Sequence, residues 1–352
     1  MSRICCFTSF TYAYLGRART LLSTLRAAHP DWAVCAVVVD EPPPGTDKAE
    51  LLAGFDIVLG LHDLGIPRVR AWLFKHGIVE ACTAVKASAM LRLMDAGFAA
   101  VIYLDPDIAV FHPLDNVAAA LEGAAVVLTP HQTSPNRNAR VMLDNELASL
   151  RFGAFNLGFI AVRSDEAGRG FAEWWAAQLL RACYDDPAAG LFTDQKYVDL
   201  VPGLFEGVAI LRDPGCNVAS WNLSTRRLLI GADGGIRVGE APLRFMHFTK
   251  INSVGDVMLE RYAGDSIEAL EVWGWYRRQV ARRQPAVVPD GYWHYATFSN
   301  GAAIPREVRL LYRESPDLRA GFDDPYDADG PFYAWLCQAH AGLLTPPATG
   351  AP

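Results

Sequence analysis

Seven consecutive apolar residues, Ala33 to Val39 (AVCAVVV), constrain what this chain can fold into more than any other stretch. A short run rich in β-branched residues, with no polar residue on either side of its pleat, predicts a strand covered on both faces. Such strands belong to parallel sheets with helices packed above and below. The run ends at Asp40-Glu41-Pro42-Pro43-Pro44-Gly45, a loop by composition. Upstream, Ile4 to Phe10 predicts a first strand. Leu15 to Ala28 predicts a helix with Leu15, Ala18, Leu22 and Leu25 on one side, closed by His29-Pro30. Downstream, strands are predicted at Phe55–Leu59, Val101–Leu104 and Ala125–Leu128, with a mostly helical Val69–Ala96 broken near Gly77. Strands alternating with helices imply right-handed crossovers and a mainly parallel sheet, an α/β domain.

The middle of the chain differs. Thr129 to Arg151 is polar and turn-rich and predicts a mobile loop over a site. Phe155–Val162 predicts a strand, and Ser164 an N-cap for a helix reaching towards Tyr184, with Asp165 and Glu166 in its first turn. Val208–Leu211 and Leu243–Phe248 are further strand candidates. From about residue 265 the pattern is helical and aromatic, and GLLTPPATGAP predicts a frayed tail. The expected division is a catalytic domain over 1–262 and a mostly helical, aromatic-rich extension over 263–352 packed on it.

Composition excludes some functions. A net charge of −7 argues against a nucleic-acid binder, and the basic stretch Arg277 to Arg283 is short enough for a solvated helix face. Seven cysteines with no C-x-x-C pair indicate neither a zinc site nor a disulfide framework and suit a reducing compartment. Thr8, Ser9, Thr11 and Tyr12 interrupt the first apolar stretch, so no signal-peptide pattern is expected, and no run approaches the ~18 residues of a membrane span. The expected location is cytoplasmic.

The chemistry concentrates at Val101-Ile102-Tyr103-Leu104-Asp105-Pro106-Asp107. An apolar strand ends and two carboxylates follow, two residues apart. In extended backbone they point the same way with Cα atoms ~7 Å apart, and Pro106 favours that conformation for Asp105. Ligands of parallel α/β sheets bind at the carboxyl ends of strands, where this pair lies. Two like charges held there favour a shared hard cation, Mn²⁺ or Mg²⁺, with phosphate oxygens completing its shell.

YLDPDIAVF resembles the D-x-D region of GT-A glycosyltransferases, and its surroundings resemble glycosyltransferase family 8 and its bacterial relatives. Motifs in matching order over residues 3–255 carry the resemblance: Phe7-Thr8-Ser9-Phe10 with Tyr12, Thr83-Ala84-Val85-Lys86, Phe155-Asn156-Leu157-Gly158, Thr193-Asp194-Gln195, and Phe245-Met246-His247-Phe248. The resemblance implies a Rossmann-like GT-A fold and a nucleotide-sugar donor, a UDP-sugar first. It implies nucleotide contacts from Thr8, Ser9, Phe10, Tyr12, Lys86 and Asp105, and sugar contacts and catalysis from Asn156, Asp194 and Gln195. His247 would be a third metal ligand beside Asp105 and Asp107. It implies retention of anomeric configuration, without an assigned nucleophile, and a saccharide, lipid-linked or protein acceptor, the lipid-linked kind placing the protein at the inner membrane face.

Residue chemistry leaves alternatives beside these roles. Lys86 could neutralise a phosphate, steady Asp105 or be a lone surface lysine; Asn156 could satisfy backbone groups; Asp194 and Gln195 could simply cap a helix. The sequence also departs from the family pattern after His247, where Thr249 to Ser253 lacks the expected glycine and lysine. Lys250, or Arg244, would then meet the diphosphate. Two other readings remain at this stage. A haloacid-dehalogenase-like phosphatase also carries paired aspartates after a strand, but on its first strand and with Thr or Val where this chain has Ala109. A non-catalytic sugar- or protein-binding module would use the aromatic C-terminal part.

Overall fold

The computed structural model describes residues 3–344. Ala33–Val38 forms the expected buried strand, β2, paired in parallel with β1 (Ile4–Phe10) on one side and β3 (Ile57–Gly60) on the other. β4 (Ala100–Leu104) pairs in parallel with the opposite edge of β1. Beyond it come β7 (Phe155–Arg163), antiparallel to both neighbours, then β6 (Val126–Pro130) and the edge strand Val208–Ile210. The seven-stranded order is therefore Val208–Ile210, β6, β7, β4, β1, β2, β3. This is a mainly parallel central sheet flanked by helices, the α/β class the sequence predicts.

The strand order reverses between β1 and β4, since β2 and β3 run off one side of β1 while β4 lies on the other. The gap this leaves at the carboxyl ends is where such sheets bind ligands. Asp105 follows β4 directly. The chain then turns through β5 (Ile108–Val110), which leaves the main sheet and pairs antiparallel with Phe245–His247, setting His247 opposite Ile108. That small sheet, completed by Val218–Ala219, delivers a residue from late in the chain to the end of β4.

Several expectations need correction. Val69–Ala96 breaks into three helices, Val69–Phe74, Ile78–Ala84 and Lys86–Asp95. Ser164 is not the N-cap; Asp165 takes that place, its carboxylate accepting the Gly168 N–H at 2.8 Å. The longer acceptor one residue nearer the helix outcompetes the serine. Thr129–Pro130 continues β6, and 139–152 is helical, with a π-helical turn at Met142–Glu146, where a loop was expected. Asn138 starts that helix by accepting from Arg140 N and Val141 N.

The C-terminal segment shares the core. Phe74 packs edge-on against Tyr312, Tyr326 and Phe332, and Gln284 Oε1 accepts the Gly16 N–H at 2.7 Å. The boundary expected after residue 262 falls within helix Val254–Ala263. The expected tail lies mostly outside the described residues.

Candidate active site

Asp105, Asp107 and His247 converge, with one potential ligand atom from each within 4.8 Å of the others. His247 Nε2 stands 3.0 Å from Asp107 Oδ1 and 3.6 Å from Asp105 Oδ2. The imidazole's other side is fixed by Asn156. The Gly158 backbone N–H, an obligate donor, approaches Asn156 Oδ1 at 3.1 Å, and Asn217 Nδ2 approaches it at 3.0 Å, so this atom is the amide oxygen. His247 Nδ1, 3.2 Å from the same oxygen, must therefore carry its proton. Nε2 is left facing two carboxylates, which can share with it only a proton or a cation. Burial alone would lower the His247 pKa, but the charge and hydrogen bond of Asp107, with Asp105 behind it, reverse the effect and raise it. Burial pushes Asp107 up, and His247 together with Arg17 more than offsets this, holding the carboxyl below its ordinary range. Two carboxylates and an imidazole oriented by a neighbouring amide are a donor set that fits Mn²⁺ or Mg²⁺.

Gly158 makes room for this arrangement. A Cβ there would lie 2.5 Å from His247 Cε1 and 2.7 Å from Nδ1, closer than atoms can pack. On the outer side Phe248 stacks on Tyr276, centroids 3.9 Å apart and planes 1° from parallel, which anchors the strand bearing His247.

A buried cation forms the second half of the site. Lys86, 1% exposed, opens helix Lys86–Asp95 and donates to Leu157 O at 2.9 Å. Its ammonium sits 2.8 Å from Asp194 Oδ2, 3.4 Å from Asp105 Oδ1 and 4.1 Å from the Tyr103 ring centroid. Burial would discharge it, yet Asp105 and Asp194 raise its pKa and keep it protonated. Burial also raises the Asp194 pKa, against the pull of Lys86. Lys86 is the ionic partner of Asp194 Oδ2, while Oδ1 accepts from Thr193 Oγ1 at 3.0 Å. Asp194 stands at the N-cap of the helix that follows, but its side chain makes no capping hydrogen bond. The lone-surface-lysine and simple-cap alternatives for Lys86 and Asp194 therefore fail.

Other sequence-predicted residues stand differently. Gln195 is committed to backbone: Oε1 accepts Leu157 N–H at 3.1 Å and Nε2 donates to Phe152 O at 2.9 Å, so its amide positions β7. Ser9 donates to Cys82 O at 2.7 Å and lies 3.1 Å from Tyr103 Oη, which donates to Asp105 Oδ1 at 2.6 Å. It supports Tyr103 and Asp105 from inside. Thr8, Phe10 and Tyr12 are enclosed, Phe10 and Tyr12 in an apolar cluster with Leu15, Val38 and Val288. Lys250 lies in an exposed turn at φ +49°, with no side-chain partner among the described residues. Arg244 is held by Asp213 at 3.0 Å and by Pro113 O.

Sequence reasoning missed Arg17, Tyr103, His131 and Asn217. His131 Nε2 lies 3.2 Å from Asn156 Nδ2, and Asn217 also bonds Thr129 Oγ1 at 2.8 Å. Only Tyr103 carried a signal, its place two residues before Asp105 on the same pleat face.

No protein family model matches this chain. Two uncharacterised proteins of Bacillus subtilis (strain 168) are similar to it. YfnF is 35% identical over 108 residues, covering 30% of this chain and 35% of that protein. YfnD is 27% identical over 196 residues, covering 54% and 59%. The chain thus spans between a third and three fifths of the curated relatives it matches. Among solved structures it is similar to the galactosyltransferase LgtC in complex with donor and acceptor sugar analogues, at 16% identity and TM-score 0.45, covering 82% of this chain and 98% of that one. The apo glycosyltransferase GlyE of Streptococcus pneumoniae TIGR4 is similar at 15% identity and TM-score 0.42, covering 80% and 64%. At these values the functional reading rests on the site itself.

Proposed function

We propose that this chain is a GT-A-type glycosyltransferase that moves a sugar from a nucleoside diphosphate sugar, a UDP-sugar first, to an acceptor hydroxyl. The observation that carries the reading is the convergence of Asp105, Asp107 and His247 at the β1/β4 switch point, with Nε2 aimed at both carboxylates. These three residues would hold Mn²⁺ or Mg²⁺. The bound ion supplies positive charge against the diphosphate as it departs. Asn156 fixes the imidazole tautomer, and Lys86 holds Asp105 and Asp194 in place. The sugar-contact role expected of Asp194 belongs to the same proposal; in this conformation its Oδ2 is buried against Lys86. Gln195 and Gly158 position β7 and leave room for His247. The diphosphate contact expected of Lys250 belongs to the same proposal; Lys250 is exposed and has no side-chain partner among the described residues.

Retention of configuration, work in bacterial polysaccharide or glycoconjugate synthesis, and a cytoplasmic location belong to the same proposal. Thermal-shift measurements with UDP-, GDP-, CMP- and dTDP-sugars, with and without Mn²⁺, test it. One donor class should raise the melting temperature only when Mn²⁺ is present, because ligand binding to the native state stabilises it. No shift with any donor in Mn²⁺ would contradict the reading.

A further inference from the structure

A cavity of about 410 Å³ lies between helix Ile78–Ala84 and helix Arg306–Glu314 of the C-terminal segment. None of its lining residues belongs to the site at Asp105, Asp107 and His247. Its walls are of two kinds. Ile78, Val79, Ile304 and Leu310 make an apolar part, while Lys75, Arg306, Arg309 and Arg313 bring positive charge. The three arginines recur at i, i+3 and i+7 along Arg306–Glu314, which puts them on one helix face. Glu307 and Glu314 of the same helix lie outside the lining. The volume falls in the range of about 300–1,000 Å³ usual for small-molecule sites.

Two carboxylates, Glu80 and Asp185, also line the cavity, and they leave the cations only partly neutralised. Glu80 is committed: Oε2 accepts the Gly77 N–H at 2.6 Å, and Oε1 accepts the Asp185 N–H at 2.9 Å and faces Arg313 at 3.5 Å. Asp185 is exposed to solvent. Neither carboxylate pairs with Lys75. That side chain, on a residue 9% exposed, donates to Leu180 O at 3.0 Å and Arg181 O at 3.3 Å and forms no salt bridge among the described residues. An ammonium has three N–H groups, so one has no hydrogen-bond partner among the described residues. Like charges stand near it. Arg319 Nη1 donates to Arg313 O at 2.6 Å, and burial, Arg319 and Arg313 together push the Lys75 pKa down to about 8. A buried cation without a carboxylate, in the field of other cations, is relieved by an anion. Arg306 is exposed and unpaired among the described residues, which leaves its guanidinium free for a ligand. Arg309 is spent on Phe74 O at 3.1 Å and His76 O at 3.3 Å and holds the helix in place.

We propose that this cavity binds a small organic anion, its charged group against Lys75, Arg306 and Arg313 and its carbon body on Ile78, Ile304 and Leu310. The charge of the lining selects the anion, and the apolar wall favours one that carries carbon over a bare inorganic ion. This site does not rest on the glycosyltransferase reading.

Calorimetric titration of the full chain with sulfate and with benzenesulfonate, at neutral pH and low salt, tests the proposal. A chelator in the buffer keeps any metal at Asp105 and Asp107 from recruiting the anion. Benzenesulfonate should bind at least about fivefold more tightly than sulfate, because its ring leaves water. Arg306→Gln and Arg313→Gln should each weaken it about tenfold. Leu310→Ser should weaken benzenesulfonate and leave sulfate unchanged. Arg313 also stacks on Tyr184, 4.1 Å from the ring centroid, so Arg306→Gln decides alone if the other variant fails to fold. Absence of wild-type binding, or an affinity unchanged in the arginine variants, would overturn the proposal. Sulfate bound as tightly as benzenesulfonate would overturn the assignment of an organic ligand.

Discussion

Replacing Lys86 with Met removes the one cation between two acidic groups and keeps most of the stem volume. Asp194, at 3% side-chain exposure, then holds an unpaired charge that water cannot reach, while Asp105, at 24%, is partly screened. Breaking a buried pair from one side costs about 3–5 kcal/mol, and Asp194 should account for most of it. For a chain of 352 residues that is a fall in melting temperature of ~5 °C. Urea unfolding of the wild type, Lys86→Met, Asp194→Asn and the double variant gives the coupling directly. The double variant should recover much of the loss, with an interaction energy on the order of 2 kcal/mol. The penalty in Lys86→Met should also shrink as pH falls, because burial already raises the Asp194 pKa and protonating it removes the stranded charge. A loss below about 1 kcal/mol, or a coupling within the ~0.5 kcal/mol expected of independent sites, would refute the buried-pair argument.

Gly158→Ala should lower Mn²⁺-dependent turnover on the order of 10²-fold, because the new methyl occupies the space of the His247 ring and small misplacements of reacting groups are costly. Steady-state kinetics and metal titration check this, and unchanged metal affinity would count against it. Burial holds the His76 pKa well below 6.5, so the folded protein keeps this ring neutral. A depressed folded pKa gives stability that is present above the unfolded value and lost as pH falls below it. The wild type should therefore lose stability relative to His76→Phe between about pH 7 and pH 5, read from melting temperatures across that range.

The sheet was legible because burial on both faces leaves a signature in adjacent residues: AVCAVVV and VIYL are strands by content alone. Asp105 and Asp107 were legible because strand, carboxylates and proline are contiguous. His247 could be named by its motif, but its geometry depends on Ile108 and Phe245 meeting across an antiparallel pair, which no local pattern encodes. Gly158 is required by the approach of His247, and nothing around it in sequence signals that contact. The backbone bonds of Gln195 and Ser9 were not legible because an amide or hydroxyl looks the same in sequence whether it faces substrate or backbone. The 139–152 helix escaped because its leucines point away from the core while Asn145 points in, the reverse of the pattern that marks a buried helix.

The central claim is that Asp105, Asp107 and His247 hold a divalent cation on which sugar transfer depends. Its most direct measurement is nucleotide-sugar turnover by the wild type and Asp107→Asn, with Mn²⁺ and after chelation. The account predicts turnover by the wild type that needs the metal and a fall of ~10²-fold or more in the variant. Turnover that survives chelation, or an Asp107→Asn variant as active as the wild type, would contradict it.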